Sequence, residues 1–548
     1  MIGPTVSMRR ERRRRAGWKF AAILLWALLL RLWNFNAPLE YDEIWSMENF
    51  APLDVTRILI SIASPNNHPI NTLWIKFILR CGAPVTAIRW ASLLAGVALI
   101  PLGGFVGRVL AGGRRSVALW CMWFLACSAP AVAYSRLARG YELQLFFLFC
   151  FSAGLAACGR WRPKRKFLRF LPETAVFLGG VGAILTLPTS VIYLGTITLT
   201  AGWIRRRAER STLAVLGAGM LFTFCWLFLQ YDALQMARGW GMPIDSPAVF
   251  REHCATELWP LFSGFSLAAA LCGALLSPRR LGAALLIGLL PIGAAVLTNG
   301  GPMRSYLPLN AMIDLFAGCG IALLLARIPA ARRNFFTAVA AAAAVFFFAA
   351  AYPRWRTTDW RSVFRITSSL PETTFAVYTA TDSFPAAWNN RPRSYEDWGR
   401  RLLCNAENRE LVVFDRNGVL NGCDRNGCER RLSLPFNGVP IRIDTLDGFG
   451  YRLRELKTAP EPGETVLIAV RPLPEELFRM IFSLFFPQGK EGKCLMLNSC
   501  FTAPLLRPDG VYRFQLWAGT FDDLAPDTVD ILCNKIRGAV SIYRIAPL

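Results

Sequence analysis

Residues 141–166 read YELQLFFLFCFSAGLAACGRWRPKRK. From Tyr141 to Cys158 the run is apolar and long enough to cross the roughly 30 Å hydrocarbon core of a bilayer as one helix. It closes on Arg160, Arg162, Lys164, Arg165 and Lys166, and short loops this rich in Lys and Arg stay in the cytoplasm. An apolar run of spanning length followed by a short basic loop describes a helix that ends on the cytoplasmic side. The same pattern recurs along the chain.

The protein has 548 residues, 54% of them hydrophobic, with 61 Lys and Arg against 37 Asp and Glu, a formal charge of +24. A soluble protein this apolar would expose too much hydrocarbon, and charge of this size would point to nucleic acid if it were spread over a soluble surface. The basic residues instead gather between apolar runs, so the charge is a signal of topology. Apolar runs place spans near residues 17–33, 86–110, 116–134, 141–159, 170–187, 188–204, 211–231, 257–276, 281–298, 305–326 and 333–351, about eleven in all. The split at Leu187-Pro188 is the weakest. The connections Gly112–Ser116, Arg160–Arg169, Arg205–Arg210, Ser277–Arg280 and Arg327–Asn334 carry the basic clusters, and eleven alternating spans put all five on one side. The N-terminus, residues 1–16, is basic and cytoplasmic under this count. No small-residue cleavage site follows the apolar run Phe20–Leu30, so an uncleaved first helix is expected.

An odd number of spans places everything after residue 352 on the outer face. Residues 353–548 have strand-length apolar runs, at Thr374–Tyr378, Leu411–Phe414, Val466–Val470, Cys494–Leu497, Tyr512–Trp517 and Val540–Ile545. They predict a mixed α/β soluble domain, large enough for its own core. Its six cysteines, Cys404, Cys423, Cys428, Cys494, Cys500 and Cys533, are an even number in a domain facing an oxidising compartment, which suggests disulfides without fixing their pairing. The spacing of Cys423 and Cys428 admits metal, but no histidine accompanies them. The nine cysteines of the membrane part are scattered as packing residues.

Polar residues on the outer side are few and grouped. The first outer loop, residues 34–85, holds Glu40-Tyr41-Asp42-Glu43, the turn Pro65-Asn66-Asn67-His68-Pro69, and two amphipathic stretches, Asp42–Ala63 and Ile70–Leu79, the second too short to span and expected in the interface. Adjacent carboxylates at a membrane surface suit a general base that takes the proton of an attacking hydroxyl; a solvated loop acid is the plain alternative. Tyr134–Glu142 contains Arg136, Arg139, Tyr141 and Glu142, and Pro302–Pro308 contains Arg304 and Tyr306. With Arg31 and Arg89, these put arginines at outer helix ends, against the positive-inside tendency. They either snorkel to headgroups or share an anionic ligand, since guanidinium matches phosphate with a planar fork of donors.

The order of these segments resembles the C-type glycosyltransferase superfamily of membrane enzymes, in the branch of bacterial relatives of protein O-mannosyltransferases and lipid A aminoarabinose transferases. Four places carry the resemblance: Asp42-Glu43 soon after the first span, Asn66-Asn67-His68-Pro69 leading to Leu79, Arg139-Gly140-Tyr141 before the fourth span, and Arg304 to Pro308 entering a late one. It covers residues 17–352; residues 353–548 match no family in this way. The resemblance implies an inverting transfer of a sugar from a polyprenyl-phosphate carrier to an envelope acceptor (lipid A or lipopolysaccharide, cell-wall glycan or protein) at the outer face of a bacterial inner membrane. It implies Asp42 as catalytic base with Glu43 orienting it or binding acceptor. Arg139, Arg304 and Tyr306 would hold the donor phosphate, and Asn67, His68, Tyr141 and Glu142 would line the substrate cavity. Several relatives carry a second aspartate near the start of the fourth span, where this chain has Glu142, so neither an essential metal nor another cofactor is expected. The domain 353–548 would cover the cavity's outer mouth, selecting the acceptor or acting as a cap. Two other readings stand beside this one, a transporter or flippase of lipid-linked sugars and a non-enzymatic envelope assembly protein. A transporter would be expected to carry mid-membrane charge, and Asp314 is the one such residue within the predicted spans.

Overall fold

The computed structural model describes residues 6–60, 67–158, 166–205, 210–230, 244–297 and 302–355, and strands beyond them. The chain divides into two compact units. One comprises Met1–Asn36 and Ser46–Tyr352; the other comprises Ala37–Trp45 and Pro353–Leu548.

The first unit is helical. Its elements are α1 (Val6–Leu32), α3 (Val55–Ile60), α4 (Pro69–Arg80), α5 (Trp90–Leu110), α6 (Arg115–Ala126), α7 (Ala129–Tyr134), α8 (Gly140–Ala157), α9 (Leu171–Thr186), α10 (Ser190–Arg205), α11 (Arg210–Leu229), α12 (Pro247–His253), α13 (Gly264–Leu276), α14 (Ala283–Gly288), α15 (Leu290–Leu297), α16 (Leu307–Arg327) and α17 (Ala330–Ala351). The short helix α2 (Tyr41–Trp45) belongs to the other unit. Among the described residues six helices are long and apolar enough to cross a membrane, or seven if Pro247–Leu261 and Gly264–Leu276, bent by 94° at their junction, form one span. The chain is a multi-pass membrane protein. Of the other expected spans, 17–33 lies in the long helix α1, whose N-terminal half is basic, and the rest coincide with helices that are shorter or broken.

The breaks have local causes. The predicted span 116–134 is α6 followed by α7, parted at Cys127-Ser128, where Pro130 sits in the first turn of α7. Proline is at home in a first turn because its missing N–H is not needed there. The 94° bend is made by Ser263, whose hydroxyl accepts from the Ser266 N–H and so caps α13. The stretch expected as one amphipathic segment, Asp42–Ala63, is likewise interrupted: α2 is followed by a π-helical turn Ser46–Phe50 and, after a bend, by α3. By contrast α4 keeps close to its expected bounds and buries one face, including Ile75 and Ile78.

Helix α16 runs through the middle of this unit, with Leu315, Phe316 and Cys319 in a core shared with Leu99 and Ile100 of α5 and Leu125 of α6. Small residues set the spacing. A Cβ on Gly318 would meet the Cys121 backbone of α6 at 2.5 Å, and one on Gly320 would overlap the Ala269 carbonyl of α13. Side-chain-free crossings of this kind let membrane helices gain contact where burial from water gives no drive.

Three arginines hold the broken helix ends. Fully buried Arg31, in the last turn of α1, directs its guanidinium to the carbonyls of Ala27, Leu125 and Ala126 at 3.3–3.5 Å. The latter two are carbonyls that the end of α6 leaves without an intrahelical partner, and such groups are costly in hydrocarbon. Arg136 donates to the Trp33 carbonyl (2.7 Å) just past α1, and Arg89 to that of Phe35 (2.9 Å). These residues therefore satisfy backbone groups inside the protein, which neither snorkelling nor a shared ligand anticipated.

In the second unit the strands β1 (Thr374–Thr379), β2 (Leu411–Phe414), β3 (Leu420–Cys423), β4 (Tyr451–Glu455), β5 (Val466–Ala469), β6 (Lys493–Met496) and β9 (Ser541–Pro547) form one sheet in the order β3-β2-β1-β6-β5-β9-β4. Its centre, β1-β6-β5, is parallel and its flanks are antiparallel. A separate antiparallel pair joins β7 (Val511–Leu516) to β8 (Asp527–Leu532). Each of the six predicted runs coincides with a strand, while β3, β4 and β8 were not anticipated. Cys423 lies in β3 and Cys494 in β6, and the other four cysteines of this region fall outside the described residues. Of the nine cysteines of the helical part, Cys81, Cys121, Cys127, Cys150, Cys225, Cys254, Cys272 and Cys319 are free thiols.

Candidate active site

The site residues expected from the sequence fall into three groups. The first is α2, in the second unit. Here Glu40 precedes the helix and Glu43 is its third residue. The Glu43 carboxylate accepts the backbone N–H of Glu40 at 2.9 Å. This is the return half of a capping box, in which the third-residue acid satisfies the donor at the helix entrance. Glu43 is fully buried, whereas Asp42 is half-buried. The two adjacent acids thus differ in kind: one closes the helix start, and the other remains in reach of solvent.

The second group lies within the helical unit. His68 precedes α4, and its ring meets the edge of Tyr141, with centroids 5.0 Å apart. Tyr141 also packs against Tyr134 at 5.2 Å, and the Arg139 guanidinium lies over the Tyr141 ring, 5.7 Å from its centroid. A cation over an aromatic face is favourable, more so away from water. Gly140 is required where the chain enters α8, since a Cβ would come within 2.8 Å of both His68 and Thr186. The His-Pro turn and the Arg-Gly-Tyr segment, some seventy positions apart, are therefore one packed cluster. Asn67 borders it, but its amide is engaged at both ends: it donates to the Ile58 carbonyl (2.9 Å) and accepts from the Thr72 hydroxyl (2.9 Å). Glu142, in the first turn of α8, is fully buried, and neither of its oxygens has a hydrogen-bond partner among the described residues.

The third group is the turn Met303–Tyr306 that feeds α16. Arg304 is half-buried. Tyr306 is buried and its hydroxyl lies 2.8 Å from His253 Nε2. The Tyr193 hydroxyl donates to the Ser305 carbonyl (2.8 Å), and the Glu257 carboxylate accepts the Met303 N–H. The turn bearing Arg304 is thus clamped from α10 and from the segment that follows α12. His253, Glu257 and Tyr193 escaped the sequence reading. His253 is one of only two histidines in the chain, and that scarcity was the available signal.

Between α5, α8, α10, α14 and α16 lies an apolar cavity of about 140 Å³. Phe149, Tyr193, Ile197, Met312 and Phe316 are among its walls, and it reaches Pro308 beside the Arg304 turn. Asp314 does not face it as a bare charge: its carboxylate accepts from Ser266 (2.7 Å) and Asn310 (3.3 Å). Satisfied in this way, it ties α13 to α16.

No family model matches the chain, and no curated protein matches it. Among solved structures it is similar to ArnT from Cupriavidus metallidurans in the apo state, at 15% identity and a TM-score of 0.43, over 72% of this chain and 74% of that one. It is also similar to the same protein bound to undecaprenyl phosphate, at 15% identity and a TM-score of 0.38, over 68% of each chain. At this level of likeness no residue role and no substrate passes from that protein to this one.

Proposed function

We propose that the protein is an inverting glycosyltransferase that moves a sugar from a polyprenyl-phosphate carrier to an envelope acceptor. In this reading eleven spans place the N-terminus in the cytoplasm and the second unit on the outer face of a bacterial inner membrane. The observation that carries the proposal is the buried cluster of His68, Arg139 and Tyr141, in which two segments of the motif order pack on each other. Asp42 would take the proton of the acceptor hydroxyl. The hydroxyl oxygen then bonds to the anomeric carbon from the face opposite the phosphate, the carbon–oxygen bond to phosphate breaks, and its electron pair stays on the phosphate oxygen. Arg139 and Arg304 would meet that growing negative charge, which is electrostatic help to the leaving group. Tyr306, with its hydroxyl already at His253, would hold the Arg304 turn and complete the phosphate site. Asn67, His68, Tyr141 and Glu142 would form the surrounding wall, and the apolar cavity beside Pro308 offers a seat for the carrier's chain.

The reading is tested with purified protein in liposomes, using labelled sugar on a polyprenyl phosphate. Arg304→Ala is expected to raise the donor KM about ten- to a hundredfold, the range of a hydrogen bond to a charged group. An unchanged donor affinity would remove Arg304 from the phosphate site. Filling the cavity with Ile197→Trp is expected to weaken use of a long-chain donor more than of one truncated to two isoprene units. An equal effect on both donors would show that the chain lies elsewhere.

A further inference from the structure

Between α7 and α8 the chain runs through short turns, with the N–H groups of Ser135, Arg136 and Leu137 bonded to the carbonyls of Ala131, Ala133 and Tyr134. The Arg139 N–H turns back to the Leu137 carbonyl (2.8 Å), a tight three-residue turn, and Arg139 itself is extended (φ −129°, ψ 149°). Two side chains from other helices fix it. Asn71, in the first turn of α4, donates its amide to the Ala138 carbonyl (2.8 Å), and Ser92 of α5 donates to the Arg139 carbonyl (3.0 Å). Both are fully buried. Asn71 shares the buried face of α4 with Thr72, Ile75 and Lys76; its amide nitrogen makes this bond while its Oδ1 has no hydrogen-bond partner among the described residues, so the bond to Ala138 is what offsets the cost of burying the amide there. The next residue, Gly140, is pressed between His68 and Thr186. The backbone of residues 138–140 is gripped from three sides, and two of the grips, His68 and Asn71, come from the start of α4.

The far part of α4 holds another stretch. Buried Lys76 donates to the carbonyls of Ala51 (2.9 Å), Pro52 (3.4 Å) and Leu53 (2.6 Å). The ammonium thereby closes the chain after the π-helical turn, in place of the backbone donors that are missing there. Helix α4 is a brace: one end holds the backbone at Ala138–Gly140 and the other holds Ala51–Leu53.

We infer that Asn71 is a positioning residue that sets the Arg139 guanidinium through the Ala138 carbonyl, so that the donor phosphate site depends on the seating of α4. This rests on Arg139 holding the donor phosphate. Displacing a binding group by about 1 Å is enough to cost substantial rate. The experiment measures donor and acceptor KM and kcat for Asn71→Asp, Arg139→Ala and the double variant in liposomes. Asn71→Asp keeps the side chain's shape and replaces the amide donor with a carboxyl group, and Asn71→Leu, which cannot donate in any protonation state, is measured beside it. Either change is expected to raise the donor KM about tenfold, to leave the acceptor KM within about twofold, and to add nothing further in the Arg139→Ala background. A donor KM unchanged by Asn71→Asp but raised by Arg139→Ala would overturn the inference and leave the phosphate role of Arg139 standing. A donor KM unchanged by Arg139→Ala would overturn the phosphate role itself. Additive effects in the double variant, or equal rises in both KM values, would show Asn71 acting as general scaffolding and overturn the inference. Should Asn71→Asp fail to accumulate, Ser92→Ala removes the second grip, and the same pattern of outcomes is read from it.

Discussion

Asp42→Asn is expected to lower sugar transfer by about two to four orders of magnitude, the usual contribution of a general base, with donor affinity unchanged. The amide cannot accept the acceptor's proton, while its size and polarity keep the start of α2 intact. The matching change one residue on has a different expected outcome. The Glu43 carboxylate accepts the Glu40 N–H, and the carbonyl oxygen of Gln can do the same. Glu43→Gln should therefore retain most activity, and Glu43→Ala, which strips the capping bond, should lose about 1 kcal/mol of local stability and reduce kcat through disorder at α2. Rates of labelled sugar transfer, measured at equal amounts of folded protein, separate the two acids. Full activity in Asp42→Asn would end the assignment of Asp42 as base, and a Glu43→Gln enzyme as inactive as Asp42→Asn would move the base to Glu43.

The largest effect on folding is expected from Gly320→Val. A Cβ at this position overlaps the carbonyl of Ala269, and a Cβ added to Gly273 on the facing helix would in turn come within 2.9 Å of the Gly320 Cα. What it strikes is backbone, so no rotamer change relieves it, and α13 and α16 must part. Ordinary overpacking costs about 1–3 kcal/mol; forcing apart a backbone-to-backbone crossing should exceed that range and leave little folded protein. Gly195→Ala is the control, because a Cβ there meets nothing within 4 Å. Removing glycine from a helix interior should stabilise by roughly 0.4–1 kcal/mol. Thermal unfolding in detergent, followed by size-exclusion profile, should show an aggregated or absent peak for the first and an unchanged or higher Tm for the second.

The parts of the fold that were legible were those where one local signal decides the outcome. A run such as Tyr141–Cys158 has no alternative to a buried or membrane helix, and runs such as Leu411–Phe414 and Val466–Val470 are too short and too β-branched to be anything but strands. Breaks inside long apolar runs were lost because hydropathy averages over them. The Ser128-Ala129-Pro130 sequence carried a cap and a first-turn proline, the ordinary marks of a helix start, yet it lay within an apolar window and was read through. The strand Leu420–Cys423 contains Asn421 and Gly422, which argue against a strand until a neighbour pairs with them. Chain order assembled the candidate site only as a string of segments. The contact of His68 with Tyr141, and of His253 with Tyr306, joins residues more than fifty positions apart, and no local pattern carries such a pairing. The roles of the arginines were least legible of all. Whether a guanidinium meets a ligand or a backbone carbonyl depends on where other helices stop, and the stop of α6 was itself unseen.

The arginine at the end of α1 bears on how the protein is made. When the first helix leaves the ribosome, Arg31 has only the Ala27 carbonyl of its own helix to bond with, because the carbonyls of Leu125 and Ala126 are still some ninety codons from being translated. A lone arginine near the end of a nascent segment draws that segment toward the lipid headgroups. Final seating of α1 must therefore wait until α6 has emerged. Chains released before residue 126 should keep α1 loosely inserted, with Arg31 open to water-borne reagents, and longer ones should draw it inside. The topology of the first helix is thus completed by a segment synthesised much later, a dependence that an uncharged first helix would not have.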